Sequence, residues 1–223
     1  MFCLSFRGKG GLRLNTVAFP LQSGMSIAHW LVILSYIVAL TGCAGYMRDT
    51  IQGRTKPNRA SWFLWTLAPV LSFCTALAAH ANIWSVAIIV LSGLVCGLIF
   101  LASLVNRQSY WKLDQWDILC GLCSLSALGF WLVLHDPIVG LILAIAADAF
   151  ASIPTLRKAW THPETETGWT FITGFTSTVL CIPATTAWDL PNFGFTVYLL
   201  VINGLLIAFC FRKRVFPGMV PEV

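Results

Sequence analysis

Residues 83–105 read IWSVAIIVLSGLVCGLIFLASLV, a run of 23 positions with no charged side chain. A helix rises about 1.5 Å per residue, so this run is long enough to cross the ~30 Å hydrocarbon core of a bilayer. It reads as a transmembrane helix, and the rest of the chain repeats the pattern. The 223 residues are 57% hydrophobic and only 10% charged, whereas a soluble domain carries about 25% charged residues. With a mean hydropathy of +0.79, most of this chain has lipid as its solvent.

Working outward from 83–105, further spans are expected at 27–46, 60–79, 116–134, 138–156, 169–188 and 193–211. The fold class is all-α integral membrane, with seven transmembrane helices. Trp30, Trp62, Trp84, Trp116, Trp131, Trp160, Trp169 and Trp188 fall near the expected ends, at the headgroup level that suits an amphipathic ring. Trp65 lies deeper. Residues 25–223 form a single membrane domain. Residues 1–24 hold Arg7, Lys9 and Arg13 but no apolar core, so they are not a secretory signal. They read as an extension, either unstructured or upstream of a native start at Met25.

Lysine and arginine fix the expected orientation. Arg48, Arg54, Lys56 and Arg59 follow the first span, Arg107 and Lys112 the third, and Arg157 and Lys158 the fifth. Arg212, Lys213 and Arg214 open the tail 212–223. The loops after the second, fourth and sixth spans carry none. The positive-inside rule then puts the N-terminus outside and the C-terminus in the cytoplasm, in a plasma or inner membrane. These charges serve topology and contact with membrane lipid, which excludes nucleic acid as the partner. Seven of the eight cysteines lie within apolar spans, including Cys120 and Cys123 of a CxxC. Without a nearby histidine pair, apolar packing is the expected use, with no metal site and no cofactor.

The chain also resembles itself. Gly45-Tyr46-Met47-Arg48-Asp49, Thr55-Lys56-Pro57 and Ser61-Trp62 pair with Pro154-Thr155-Leu156-Arg157-Lys158, Thr161-His162-Pro163 and Gly168-Trp169. Ser92-Gly93-Leu94 pairs with Asn203-Gly204-Leu205. This gives two three-helix units, 27–105 and 138–211. Consecutive three-helix units would face opposite ways, so the helix at 116–134 acts as a linker that makes them parallel.

The segment Ser152-Ile153-Pro154-Thr155, with Arg157-Lys158 and then Glu164-Thr165-Glu166-Thr167-Gly168-Trp169-Thr170, resembles a PQ-loop motif. The PQ-loop superfamily includes SWEET-type sugar transporters and lysosomal cystine and cationic amino-acid exporters, which share the 3+1+3 plan. Two positions depart from it: Thr155 stands where the motif has glutamine, and Gly45 where the first repeat would have proline. The resemblance implies that Asn203 hydrogen-bonds solute hydroxyls and that Pro154 acts as a hinge.

Several residues stand out on their own. Asp148 sits mid-span, where a charge costs at least about 2.5–3.5 kcal/mol. It marks either a substrate or proton site, or a hydrogen bond between helices. Asn203 and its repeat mate Ser92 are candidate solute contacts, with interhelical bonding as the alternative. Trp65 is positioned either to stack on a flat solute or to pack in the core. Pro69, Pro154 and Pro183 interrupt spans, as hinges or simply as fits to curved helices. Thr173, Thr176 and Ser177 either line a pathway, Thr176 being the candidate contact, or bond their own backbone. Gly93 and Gly97 form a GxxxG for close helix approach. Glu164 and Glu166 are placed to bridge to the basic loop at Arg48–Arg59 as a cytoplasmic gate.

No phosphate-binding glycine loop, GxSxG, HExxH or Walker motif is present, so no enzyme activity is expected. The expected function is an alternating-access carrier for a small polar solute such as a sugar, an amino acid or a vitamin-like compound, with proton coupling resting on Asp148. The alternative is a receptor, scaffold or biogenesis factor, since KDEL-type receptors use this fold without transport. Whether the chain forms a homo-oligomer is left open by the sequence.

Overall fold

Short polar segments between the apolar runs start the helices. Ser26 caps α1 (Ile27–Ile51): its hydroxyl accepts the His29 amide, while His29 Nδ1 accepts the Ser26 amide. Asn58 caps α2 (Arg59–Ala78) by accepting the Ser61 amide. Asp114 and Asp117 cap α4 (Gln115–Leu134) reciprocally, each carboxylate accepting the other's amide at 2.9 Å. Asp136 accepts the Ile138 and Val139 amides at the start of α5 (Pro137–Thr161), with Pro137 in its first turn. α3 (Ala87–Val105), α6 (Gly168–Cys181) and α7 (Leu190–Val215) complete the set. Water is not available in lipid to satisfy free backbone groups, so helices suit this chain.

The structure, a computed structural model, describes residues 26–106, 111–134 and 136–215. Among them there are seven α-helices, two 3₁₀ turns and no strands. Five helices, α1, α2, α3, α5 and α7, are long and apolar enough to cross a membrane. The expectations for residues 1–24 and for the tail beyond 215 lie outside the described residues.

Several boundaries differ from the sequence expectation. α1, α5 and α7 run past the apolar stretch, because backbone hydrogen bonding does not stop where hydropathy does. α3 begins at Ala87 rather than Ile83. α6 is the largest departure. It has 14 residues and ends at Cys181, where Ile182–Ala184 form a 3₁₀ turn containing Pro183. Pro183 therefore does not interrupt a span; it closes a short helix. Pro69 and Pro154 do lie inside α2 and α5.

Six helices close into a ring in the order α1, α3, α2, α5, α7, α6 and back to α1. α4 stands outside the ring, packed mainly on α5. The outward faces are apolar, with Ile37, Leu101, Leu122, Ile142 and Val201 among the exposed side chains. In water such a surface would be a liability, whereas in lipid it is the expected face.

Small residues let neighbouring helices approach. A Cβ on Gly93 would lie 3.3 Å from Pro69 Cβ, and one on Gly97 would lie 3.3 Å from Thr66 Cγ2. The GxxxG thus packs α3 against α2. Across the ring, α1 meets α6 at Gly42, where an added Cβ would overlap Thr173 Oγ1.

Candidate functional site

The ring encloses a cavity of about 80 Å³ to which all six of its helices contribute. Its walls include Ala39 of α1, Trp62 and Trp65 of α2, Ser92 and Cys96 of α3, and Asp148 of α5. Thr170, Phe171, Gly174, Ser177 and Thr178 come from α6, and Asn203 comes from α7. On this measure roughly 10–15 Å³ holds one water, so the space suits several waters or one small solute.

Among the described residues Asp148 is the only acidic or basic side chain in the lining, and it is 4% exposed. Tyr198 on α7 donates its hydroxyl to Asp148 Oδ2 at 2.5 Å. Ser152, one turn after Asp148, bonds the Asp148 carbonyl at 2.8 Å and lies 2.9 Å from the Tyr198 hydroxyl. Trp65 Nε1 donates to Ser152 Oγ at 3.0 Å and to the Asp148 carbonyl at 3.2 Å. One network thus ties α2, α5 and α7 beside the cavity. Oδ1 of Asp148 takes no hydrogen bond from the described residues.

Asn203 donates through Nδ2 to the Leu199 carbonyl one turn back, at 2.9 Å. Its Oδ1 faces α6 at Gly174, where a Cβ would come within 2.8 Å. A glycine is what the asparagine needs opposite it. Trp62 and Trp65 meet edge to face, with centroids 5.1 Å apart, and form an aromatic wall. Trp62 is 2% exposed and lies in the first turn of α2, so it packs into the core at the helix end.

Four of the five expected contact residues, Asn203, Ser92, Asp148 and Trp65, therefore meet at one cavity. Thr176 does not. It is exposed on the outer side of α6, and its neighbours Ser177 and Thr178 line the space instead. The α6 hydroxyls mainly bond backbone: Thr173 to the Thr170 carbonyl, and Ser177 and Thr178 to that of Gly174. Thr170 reaches across to the Gly42 carbonyl of α1 at 2.9 Å.

No family model, no curated protein and no solved structure matches this chain.

Hydrogen bonds link the helices and loops at both ends of the ring. At the basic end, Lys158 Nζ lies 2.6 Å from Glu166 Oε1, and Tyr46 donates to Glu166 Oε2 at 2.7 Å. Lys158 also donates to the Lys56 carbonyl. Thr55 and Thr167 hydroxyls meet at 2.5 Å, and Thr167 donates to Asp49 at 3.0 Å. Glu166 thus bridges to Tyr46 of α1 and to Lys158 of α5, not to the arginines of the first loop. Those arginines have other partners: Arg54 pairs with Asp49, and Arg59 reaches the Ser103 and Asn106 carbonyls. At the opposite end, Asn192 accepts the Asn82 amide at 2.8 Å, and Ser85 bonds the Ala184 carbonyl at 3.2 Å.

Lys158, Tyr46, Ser152 and Tyr198 were not singled out by sequence reasoning. For Ser152, the spacing of four from Asp148 on one helix was an available signal.

Proposed function

We propose that the chain is a membrane carrier that moves a small polar solute by alternating access between two three-helix units. The observation that carries this reading is the cavity between the units, largely apolar but holding Asp148, Asn203, Ser92 and the α6 hydroxyls, with hydrogen bonds across it at both ends. The units are α1–α3 and α5–α7, with α4 as linker. Exchanging α1 with α5, α2 with α6 and α3 with α7 maps the ring of contacts onto itself. The lining agrees with this. Ile88, Leu91, Ser92 and Val95 on α3 correspond, at a constant offset of 111 residues, to Leu199, Ile202, Asn203 and Leu206 on α7. Ser92 and Asn203 are thus paired across a pseudo-twofold axis through the cavity. That relation supports a PQ-loop-like plan with the axis along the membrane normal.

In this reading the basic end faces the cytoplasm, by the distribution of lysine and arginine. Rocking of one unit against the other opens the α1–α6 and α2–α5 contacts at one end while the other stays bonded. Pro69 and Pro154, each removing one helix hydrogen bond, flank these contacts as bending points. Asp148 is the group at which a proton exchanges, and Tyr198 and Cys96 are the other titratable groups around it.

Solute flux into proteoliposomes, across a panel of sugars, amino acids, amines and vitamins, tests the proposal. Flux lost in Asn203→Ala, with the purified protein still folded, supports it. No flux for any solute, together with a protein partner that co-purifies, would replace it with a receptor or scaffold role. Proton coupling fails if Asp148→Asn leaves pH-dependent uptake unchanged.

A further inference from the structure

The polar groups lining the cavity are mostly hydrogen-bond acceptors. Thr170 gives its proton to the Gly42 carbonyl, and Ser177 and Thr178 give theirs to the Gly174 carbonyl. Each hydroxyl is left with only lone pairs. Asn203 commits one amide hydrogen to Leu199, and this bond fixes Oδ1 as an acceptor on the other side. The Trp65 N–H is taken by Ser152 and the Asp148 carbonyl. The remaining donors on the lining residues are the Ser92 hydroxyl, the second amide hydrogen of Asn203, the Trp62 N–H and the weak Cys96 thiol. Among the described residues no lysine, arginine or histidine lines the space, and the acidic group there is Asp148. Trp62, Trp65 and Phe171 add aromatic walls.

We infer that the ligand of this cavity is a small organic ammonium ion that carries no carboxylate or phosphate. Such a ligand supplies what the walls lack. The N–H groups of a primary ammonium meet Oδ1 of Asp148, Oδ1 of Asn203 and the α6 hydroxyl oxygens, while a quaternary ammonium offers only its charge, to Asp148 and to the aromatic walls. A buried carboxylate without a counter-charge is costly, and aromatic faces attract cations within about 6 Å of the ring centroid. An anionic group on the ligand would find few donors and a like charge. Sugars meet the donor requirement but leave the charge unanswered. Zwitterionic amino acids answer the charge but strand their carboxylate.

This inference rests on the carrier reading only in taking the cavity as the ligand site, so it is tested by binding and not by flux. Purified protein in detergent is titrated with ethanolamine and choline. Each is compared with a neutral counterpart, ethylene glycol for ethanolamine and 3,3-dimethyl-1-butanol for choline, and with a zwitterion, glycine and glycine betaine respectively. Binding is read by calorimetry. At least one ammonium is expected to bind more tightly than its neutral and zwitterionic counterparts by about tenfold or more. Asp148→Asn is expected to erase that preference, and the ligand series on the unaltered protein keeps the test valid if the variant does not fold. Equal affinity for neutral and cationic members overturns the inference, as does the absence of ammonium binding or an unchanged preference in a folded Asp148→Asn. Ammonium binding without flux would support the inference and count against the carrier. Flux of a neutral sugar without ammonium binding would do the reverse.

Discussion

Lys158 and Glu166 form an ion pair 2.6 Å long whose side chains are 1% and 0% exposed. It sits where the α1–α2 and α5–α6 loops meet, with Tyr46 on the second carboxylate oxygen and the Lys56 carbonyl on the ammonium. Two desolvated charges contribute little net stability, but removing one leaves the other unpaired, at about 3–5 kcal/mol. Lys158→Met should therefore destabilise the protein by that order. Adding Glu166→Gln should recover part of the loss, because the amide oxygen still accepts from Tyr46. Thermal unfolding in detergent measures both. A double variant as unstable as the sum of the two single variants would mean the groups do not act as a pair.

The α1–α6 contact depends on Gly42. An alanine there drives its Cβ into Thr173 Oγ1 and to 3.2 Å from the Thr170 Cα. Overpacking of this kind costs about 1–3 kcal/mol. Gly45 is the control on the same helix, since nothing lies within 4 Å of its added Cβ. Gly45→Ala should stabilise by roughly 0.5–1 kcal/mol through helix propensity alone. Unfolding midpoints of opposite sign are expected, and two equal shifts would contradict the close approach at Gly42.

Asp114 supplies a pH dependence with a definite sign. The Asp117 amide foremost, and then Arg157, hold its carboxyl below the ordinary aspartate value of 3.8. A carboxyl lowered on folding adds stability above its unfolded value, and this is lost as pH falls through the folded value. Asp114→Asn keeps an oxygen for the Asp117 amide but loses the pairing with Arg157. It should be less stable than the parent at neutral pH, and the gap should close as the pH drops below about 3.8. Unfolding midpoints followed into acid measure this. A gap that stays constant would exclude ionised Asp114 as the cause.

The helix cores were legible in the sequence because lipid permits few other backbones. The ends were less so. Hydropathy marks where side chains leave the apolar layer, while the caps at Ser26, Asn58, Asp114 and Asp136 and the turn at Pro183 mark where hydrogen bonding starts or stops. At the site, Asp148, Asn203, Ser92 and Trp65 stood out as polar or oversized groups in apolar runs. Thr176 misled because each residue turns a helix by roughly 100°, enough to move one threonine outside while Ser177 and Thr178 face in. Tyr198 was overlooked because a tyrosine in a span reads as an interface anchor, and its role shows only once α7 is set against α5. The partner of Glu166 was misjudged because the 3₁₀ turn Pro163–Thr165 folds the chain back, bringing Lys158 closer than any arginine of the other loop.

The central claim, that the two units must part at the basic end for a solute to pass, is tested most directly by locking that end. Thr55 lies between α1 and α2 and Thr167 directly before α6, with their hydroxyls 2.5 Å apart. With both replaced by cysteine in an otherwise cysteine-free chain, oxidation should join them. Flux into proteoliposomes of whichever panel solute the unlocked protein carries should then stop and return on reduction. Undiminished flux through fully cross-linked protein would contradict the account.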